Sequence, residues 1–457
     1  MQLIFGGKKM NQEKLPEIKP KGSALIPFLV FIVIYLGVGL ILQSQGVEMA
    51  FYQFPSVAAM FIALIFAFFM TKGPFIERFR IFSSGAAKTD IIMMLMIYLL
   101  AGAFSQVSAV MGGRDATVNL GLSVVPVPFL AAGIFVISAF MGTATGTSMG
   151  TIGAIVPIAV GVADKSGVSL PLIVGACVGG AMFGDNLSMI SDTTIAATTS
   201  QGCEMRDKFK MNFLIAVPAA LVTIVILLIF GRPETVADMG DLSFNFLKVV
   251  PYLAVLILAL CGINVFIVLS GGIFLSGIIG IATGSINVFD FAQAIWDGFT
   301  GMNEVFFLTL FCAGMAEMIT YNGGLAWIIE KLRKMMKGKK SAQVGIAALV
   351  SLTDLATANN TIAIVITGKV AKDVSTEFGV DPRKSASLLD IFSCVVQGVI
   401  PYGAQLLSAA ALTNAAIKGI SVSSLDFVPY VWYVWVLLVF AVIDIFVPYA
   451  DKARKAK

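Results

Sequence analysis

Long runs without a charged side chain constrain this sequence more than any other feature. Between Lys21 and Lys72 the only charged residue is Glu48, and residues 116–163 and 391–417 contain none. About 20 apolar residues are enough to span a bilayer as an α-helix. Only 13% of the 457 residues are charged, whereas an ordinary soluble domain has about 25%. We therefore expect an all-α polytopic membrane protein.

The apolar runs predict about 10 transmembrane helices and two hairpins. The predicted spans cover residues 24–43, 55–71, 89–111, 170–199, 211–230, 249–266, 268–283, 303–321, 386–416 and 428–449. The hairpins are predicted at residues 126–163 and 342–372, where small polar residues interrupt an apolar run at its middle. The longest spans, around residues 185 and 400, are expected to be broken helices.

The distribution of Lys and Arg predicts the orientation of the chain in the plasma membrane, which in a prokaryote is the inner membrane. Cytoplasmic loops carry an excess of basic residues. We accordingly place both termini, including the segments 1–23 and 450–457, in the cytoplasm. The basic segments at 72–88, 203–210 and 330–340 are placed on the same side. The segments around Glu48, Asp238 and Asp241 are then on the opposite side.

The chain also resembles itself at a shift of about 211 residues. Gly112 and Gly113 match Gly323 and Gly324, a shift of 323 − 112 = 211, and Gly150-Thr-Ile matches Asn360-Thr-Ile, a shift of 210. We assign a first repeat to residues 24–230 and a second to 247–449, each with five helices and one hairpin. The predicted orientation inverts the second repeat, an arrangement typical of secondary transporters. Chance similarity between apolar helices is the alternative.

Two residue types limit the chemistry. The sequence has no histidine, and its five cysteines lie far apart without a CxxC spacing. The commonest metal ligand and the usual near-neutral acid–base group are therefore missing, so any proton transfer must use carboxylates. We expect no enzyme, no organic cofactor and no nucleic-acid partner. The lipid bilayer is the expected surrounding, and the sequence leaves a homodimer open.

The most polar stretch in an apolar setting lies at residues 179–200. An ionisable side chain at membrane depth costs at least about 2.5 kcal/mol, so a function is expected for it. Gly179, Gly180 and Gly184 are expected to let the helix unwind and expose carbonyl oxygens. The candidate ion-binding residues are Asp185, Asn186, Ser188, Ser191, Asp192 and Thr193.

Hard oxygen ligands with one or two negative charges favour Na⁺ or a proton over a soft metal ion. We therefore place sodium at Asp185 and Asp192, with protons competing for the same carboxylates. Two nearby carboxyl groups also allow one to carry a proton while the other stays ionised. The alternative is that both aspartates only cap the N-termini of half-helices.

The hairpin tips and the second broken helix supply further polar side chains. Half-helix N-termini and amide groups at such tips can hold an anionic substrate. The alternative role for them is helix packing through small polar residues. The candidate substrate-binding residues are Thr147, Ser148, Asp354, Thr357, Asn359, Asn360, Thr361 and Gln405.

The run FGDNLSMISDTT at residues 183–194 resembles the signature of the NhaC family of sodium/proton antiporters, usually SFGDxxSPxSDTT. Met182 stands where the family often has serine, and Met189 stands where it usually has proline. The resemblance covers nearly the whole chain. It implies an ion-transporter fold with two hairpins, and it implies that the polar residues of the motif lie in the ion and substrate site. Members of this family also move amino acids or hydroxycarboxylates.

Two functions follow from these observations. The first is a secondary active transporter that exchanges cytoplasmic Na⁺ for external H⁺ by alternating access. The second is a sodium- or proton-coupled transporter of a small amino acid or organic acid, with the carboxylate held at the hairpin tips. An amide-rich or positively charged pocket at the tips would favour the second.

Overall fold

The computed structural model describes residues 19–45, 47, 53–189, 191–233, 242–261, 263–417 and 421–452. Glu48, Asp238 and Asp241, like most of the two terminal segments, lie outside these residues. Within the described residues the regular structure is entirely helical. Nine of these helical segments are long and apolar enough to span a membrane, or ten if Ser424–Tyr430 and Trp432–Phe446 count as one bent span. The prediction of an all-α polytopic membrane protein is confirmed.

The helices fall into two sets with the same order. The first set is α1 (Ile26–Ser44), α2 (Ser56–Met70), α3 (Phe75–Ala86), α4 (Thr89–Val110), α5 (Gly113–Val124), α6 (Leu130–Thr145), α7 (Ser148–Ser166), α8 (Leu170–Leu187), α9 (Asp192–Gln201) and α10 (Met205–Phe230). The second set is α11 (Phe246–Leu260), α12 (Val265–Ala282), α13 (Val288–Gly301), α14 (Asn303–Tyr321), α15 (Gly324–Arg333), α16 (Lys339–Thr357), α17 (Asn360–Glu377), α18 (Pro382–Val399), α19 (Ala404–Ala416), α20 (Ser424–Phe427) and α21 (Trp432–Phe446).

Four short helices, α3, α5, α13 and α15, lie where the sequence predicted connections. The basic segment at 72–88, for example, was expected to be a loop, but most of it forms α3. Its charges keep its hydropathy low, while Phe75, Phe79 and Phe82 stack against Phe68 of α2. A hydropathy average over a span of about 20 residues misses a helix this short and amphipathic.

The two hairpins, α6–α7 and α16–α17, turn in the same way. Gly146 and Ala358 occupy the left-handed region at φ 69° and 49°, and the next residues, Thr147 and Asn359, cap the following helix. These equivalent turns are 358 − 146 = 212 residues apart. The sequence match of Gly150 with Asn360 is thus out of register by two, because an identity of two residues, Thr-Ile, is too short to fix an alignment.

The two halves interlock through close backbone contacts. α3 packs on α14, and α13 packs on α4. A Cβ atom at Gly85 of α3 would lie 2.6 Å from the carbonyl oxygen of Ala313, and one at Gly298 of α13 would lie 2.5 Å from that of Gly102. Glycine permits these backbones to approach closely, as it does between membrane helices in general. Each half therefore packs part of its frame against the other half.

The glycines of the polar stretch pack helices together instead of unwinding them. α8 continues through Gly179, Gly180 and Gly184 and ends after them, so the prediction that they break the helix is wrong. A Cβ atom at Gly180 would lie 2.3 Å from the carbonyl oxygen of Phe135, and one at Gly184 would lie 2.3 Å from the carbonyl carbon of Gly142. The predicted interruption exists, but it lies between α8 and α9. A matching interruption separates α18 from α19.

We expect Gly184→Ala to destabilise the protein by about 1–3 kcal/mol, because the added methyl group must push α6 and α8 apart. The matched control is Gly133→Ala on α6, where an added Cβ atom meets nothing within 4 Å. Alanine should be neutral or slightly stabilising there, since it is the better helix former. Thermal unfolding of the two purified variants measures both effects. Equal melting temperatures would contradict this account of the α6–α8 contact.

Candidate cation-binding site

The interruption between α8 and α9 meets both hairpin tips and the start of α19 around one cavity of about 350 Å³. The first half contributes to its wall Thr147, Ser148, Asp185, Ser191, Asp192 and Thr193. The second half contributes Asn359, Asn360, Thr361 and Gln405. Ten of the candidate residues, six from the first half and four from the second, thus surround one space.

Asp185 lies in the last turn of α8, and its residue is only 5% exposed. Its Oδ1 atom accepts a hydrogen bond of 3.0 Å from the backbone N–H of Ser148, the first residue of α7. The positive end of the α7 helix dipole therefore faces this carboxylate. The sequence left open that Asp185 only caps a helix. It does cap α7, from a different helix, but it also lines the cavity.

The remaining residues of the motif provide oxygen atoms around the interruption. Ser191 precedes α9, and its hydroxyl shares a hydrogen bond of 2.9 Å with that of Thr193. Asp192 begins α9 and is exposed, in contrast to the buried Asp185. The cavity wall thus carries two carboxylates in different environments, one enclosed by helices and one accessible. The hydroxyl-bearing residues Ser191 and Thr193 flank Asp192 in the sequence, and Ser148 lies beside Asp185 in the structure.

A chain of side-chain hydrogen bonds connects the two halves across the cavity. Gln405 of α19 donates from Nε2 to the hydroxyl oxygen of Ser148 over 3.1 Å. Gln397 of α18 donates from its Nε2 to Oε1 of Gln405 over 2.7 Å and to the carbonyl oxygen of Ala358 over 3.3 Å. The chain therefore runs from Asp185 through Ser148 to the tip of the second hairpin. Gln397 was not among the candidate residues of the sequence.

Four candidate residues lie away from the cavity wall. Asn186 and Ser188 are buried behind the interruption, where the backbone oxygen of Asn186 accepts hydrogen bonds from Lys208 and Asn212 of α10. Asp354 is fully buried in α16, one helical turn before the hairpin tip. Thr357 ends α16, and its hydroxyl donates to the carbonyl oxygen of Asn359.

A buried ion pair supports the interruption from behind. Lys208 of α10 and Asp390 of α18 are 1% and 0% exposed, with Nζ and Oδ2 2.7 Å apart. Lys208 also donates to the hydroxyl of Thr194 over 2.7 Å, and Asn212 donates to Asp390 over 2.7 Å. The sequence placed the basic segment 203–210 on the cytoplasmic side, but the structure buries the Lys208 side chain of this segment inside the protein. It lies one turn into an apolar helix, and sequence alone gives no sign of its partner 182 positions away.

The two halves differ chemically at equivalent positions. With the shift of 212 set by the hairpin turns, Asp185 corresponds to Gln397 and Asp192 corresponds to Ala404. The second broken helix therefore has an amide and a methyl group where the first has carboxylates. The two broken helices therefore differ in charge at structurally equivalent positions.

The electrostatics of the wall favour a cation. Asp185 and Asp192 are acidic, and none of the described residues that line the cavity is Lys or Arg. Asn264, which caps α12, also reaches the wall and was missed because it follows an ordinary apolar run. Carboxylates, hydroxyls and amide oxygens are the ligand set that hard cations prefer.

Comparison with known proteins finds a family profile and relatives that cover most of the chain. The profile described as the Na⁺/H⁺ antiporter family matches residues 11–232 and 237–447. An uncharacterized Na⁺/H⁺ antiporter of Haemophilus influenzae is 24% identical over 87% of this chain and 92% of its own length. The Na⁺/H⁺ antiporter NhaC of Alkalihalophilus pseudofirmus is 25% identical over 74% of this chain and 78% of its own. The malate-2H⁺/Na⁺-lactate antiporter of Bacillus subtilis is 21% identical over 70% of this chain and 73% of its own length.

We expect Lys208→Met to destabilise the protein by about 3–5 kcal/mol, because the substitution leaves Asp390 buried and without its counter-charge. The double variant Lys208→Met/Asp390→Leu should recover most of the loss, since it removes both charges together. Thermal unfolding of the single and double variants tests this pairing. A double variant less stable than Lys208→Met would contradict it.

Proposed function

Because the chain belongs to the Na⁺/H⁺ antiporter family, we propose that it exchanges Na⁺ for H⁺ across the membrane by alternating access, with the cavity at Asp185 as the cation site. The observation that carries this proposal is the convergence of Asp185, Asp192 and the hydroxyls of Ser191 and Thr193 on one cavity without Lys or Arg among its described lining residues. Na⁺ and H⁺ then alternate at these carboxylates, and a gradient of either ion drives the other.

The arrangement of two cavities supports alternating access. The cation-site cavity borders the start of α4 and the α11–α12 connection, which the distribution of basic residues places toward the cytoplasm. A second cavity, of about 400 Å³, lies toward the other end of α19 beside Glu304 and Asn414. Gln405 lines the first cavity and Leu407 the second. The two cavities therefore reach positions of α19 that are only two residues apart, beside the Gln405–Ser148 hydrogen bond.

A second candidate function uses the same cavity. Asn264, Asn359, Asn360 and Gln405 bring amide groups to its wall, which can donate hydrogen bonds to a small carboxylate. One relative is a malate-2H⁺/Na⁺-lactate antiporter. A cavity of about 350 Å³ holds a small organic acid together with a cation. The absence of a basic side chain among the described lining residues makes cation exchange the better supported of the two.

In proteoliposomes, a Na⁺ gradient should drive H⁺ movement that a pH-sensitive dye reports. Asp185→Asn should weaken the apparent Na⁺ affinity by about tenfold or more, since losing a charge-assisted interaction removes about 1.5–3 kcal/mol. Asp192→Asn should have a smaller effect, because solvent screens an exposed carboxylate more than a buried one.

The matched control is Asp297→Asn, which removes an exposed carboxylate of α13 that does not line the cavity. Uptake of labelled lactate, malate and amino acids is measured in the same vesicles. Wild-type H⁺ movement that does not respond to Na⁺, combined with acid uptake, would favour the second candidate. Wild-type Na⁺/H⁺ exchange in Asp185→Asn would refute the assigned site.

A further inference from the structure

Asp354 is a buried carboxylate that the cation site does not use. Its residue is 0% exposed, and it lies outside the cavity wall. Among the described residues, no side chain donates a hydrogen bond to Oδ1 or Oδ2 or forms an ion pair with them, and the nearest polar groups belong to the backbone at Asn359 and Gln397. An ionised carboxylate in this setting costs several kcal/mol, whereas the protonated acid is uncharged. The surroundings therefore favour a protonated Asp354 in this conformation.

The internal repeat shows that the fold does not require this carboxyl group. The backbone oxygen of Asp354 accepts from the N–H of Ala358 over 2.7 Å, and that of Gly142 accepts from the N–H of Gly146 over 2.9 Å. Asp354 and Gly142 are thus equivalent, 354 − 142 = 212 residues apart. The first hairpin makes the same turn with no side chain at this position. The carboxyl group of Asp354 is an addition that the equivalent turn of the first half does without.

The groups around Asp354 supply no cation. The backbone of the hairpin tip at Asn359 and that of α18 at Gln397 lie nearest to its carboxyl group. The titratable neighbours on the packed elements are Cys394 of α18 and Tyr402 of the segment before α19. The Tyr402 hydroxyl donates to the carbonyl oxygen of Leu355. From α14, Glu317 faces the end of the hairpin but is paired with Lys88 at 2.6 Å.

The space around Asp354 suits a proton better than Na⁺. A hard metal cation takes about six or more oxygen ligands and needs room for them. Asp354 does not line the cation-site cavity, the second cavity beside Glu304 or the small pocket between Lys88, Glu317 and Thr357. A proton bound to a carboxyl oxygen needs no cavity of its own.

We infer that Asp354 is a second proton-binding site of the exchanger, separate from the cavity that binds Na⁺. This inference rests on the proposed Na⁺/H⁺ exchange. When the second hairpin moves, the O–H bond of the acid breaks, the electron pair stays on the carboxylate, and the proton passes to a water molecule. The reverse step reloads Asp354 from the other side of the membrane.

Hydrogen bonds provide a route by which the two sites affect each other. The carbonyl oxygen of Ala358, one turn after Asp354, accepts from Gln397, which also donates to Gln405. Gln405 in turn donates to Ser148, whose N–H holds Asp185. A movement of the second hairpin tip on proton loss therefore reaches the N–H group that faces the Na⁺-binding carboxylate.

The test uses Asp354→Asn and Asp354→Gly, the second of which installs the residue of the equivalent first-half position. Protons released per Na⁺ bound are measured with purified protein in weakly buffered detergent solution. Na⁺/Na⁺ exchange and Na⁺-driven H⁺ movement are measured in proteoliposomes. We expect Na⁺/Na⁺ exchange within about twofold of wild type, while protons released per Na⁺ bound fall by about twofold or more, because a lost proton site reduces the linked protons.

Asp297→Asn is the control and should match wild type in all three measurements. Unchanged proton release and H⁺ movement in both Asp354 variants would overturn the inference. Loss of Na⁺/Na⁺ exchange in a folded variant would also overturn it, because Asp354 would then belong to the Na⁺ path. A wild-type protein that moves no H⁺ against Na⁺ would instead refute the proposed function. The wild-type protein is therefore measured first, before the variants.

Discussion

The hydrogen bond between Asp185 and the backbone N–H of Ser148 is the contact on which the site depends. A carboxylate at membrane depth needs a compensating interaction, and the N-terminus of α7 supplies both a donor and the positive end of a helix dipole. Three features make the contact possible: α7 begins at Ser148, α8 ends just after Asp185, and the glycines of α8 bring α6 within backbone distance. The geometry of the cavity follows from these three features.

The two halves use the same backbone for different chemistry. The first places its acid on the broken helix, at Asp185, opposite a glycine-lined hairpin. Apart from Asp390, which is paired with Lys208, the second places its buried acid on the hairpin, at Asp354, opposite the amide of Gln397 on the broken helix. The exchanger then has one carboxylate beside a cavity, where Na⁺ and H⁺ can alternate, and one enclosed carboxyl group that suits only a proton.

Several features were predictable from sequence because each has a local signature. The hairpins appear as apolar runs interrupted by small polar residues, and the cation site appears as carboxylates and hydroxyls placed where no soluble surface is available. Features that depend on distant partners were not predictable. Gly184 was expected to unwind α8, since sequence does not show that Gly142 lies against it. Lys208 was read only as part of a cytoplasmic basic segment, since its pairing with Asp390 exists only in the folded chain. The register of the repeat needed the φ angles at Gly146 and Ala358.

The crossed packing of α3 on α14 and of α13 on α4 restricts how such a protein can move. Close backbone contacts through Gly85 and Gly298 hold both seams together, so tilting one half against the other would have to separate both seams at once. Such packing favours alternating access by movement of the hairpins and broken helices over a tilt of the two whole halves.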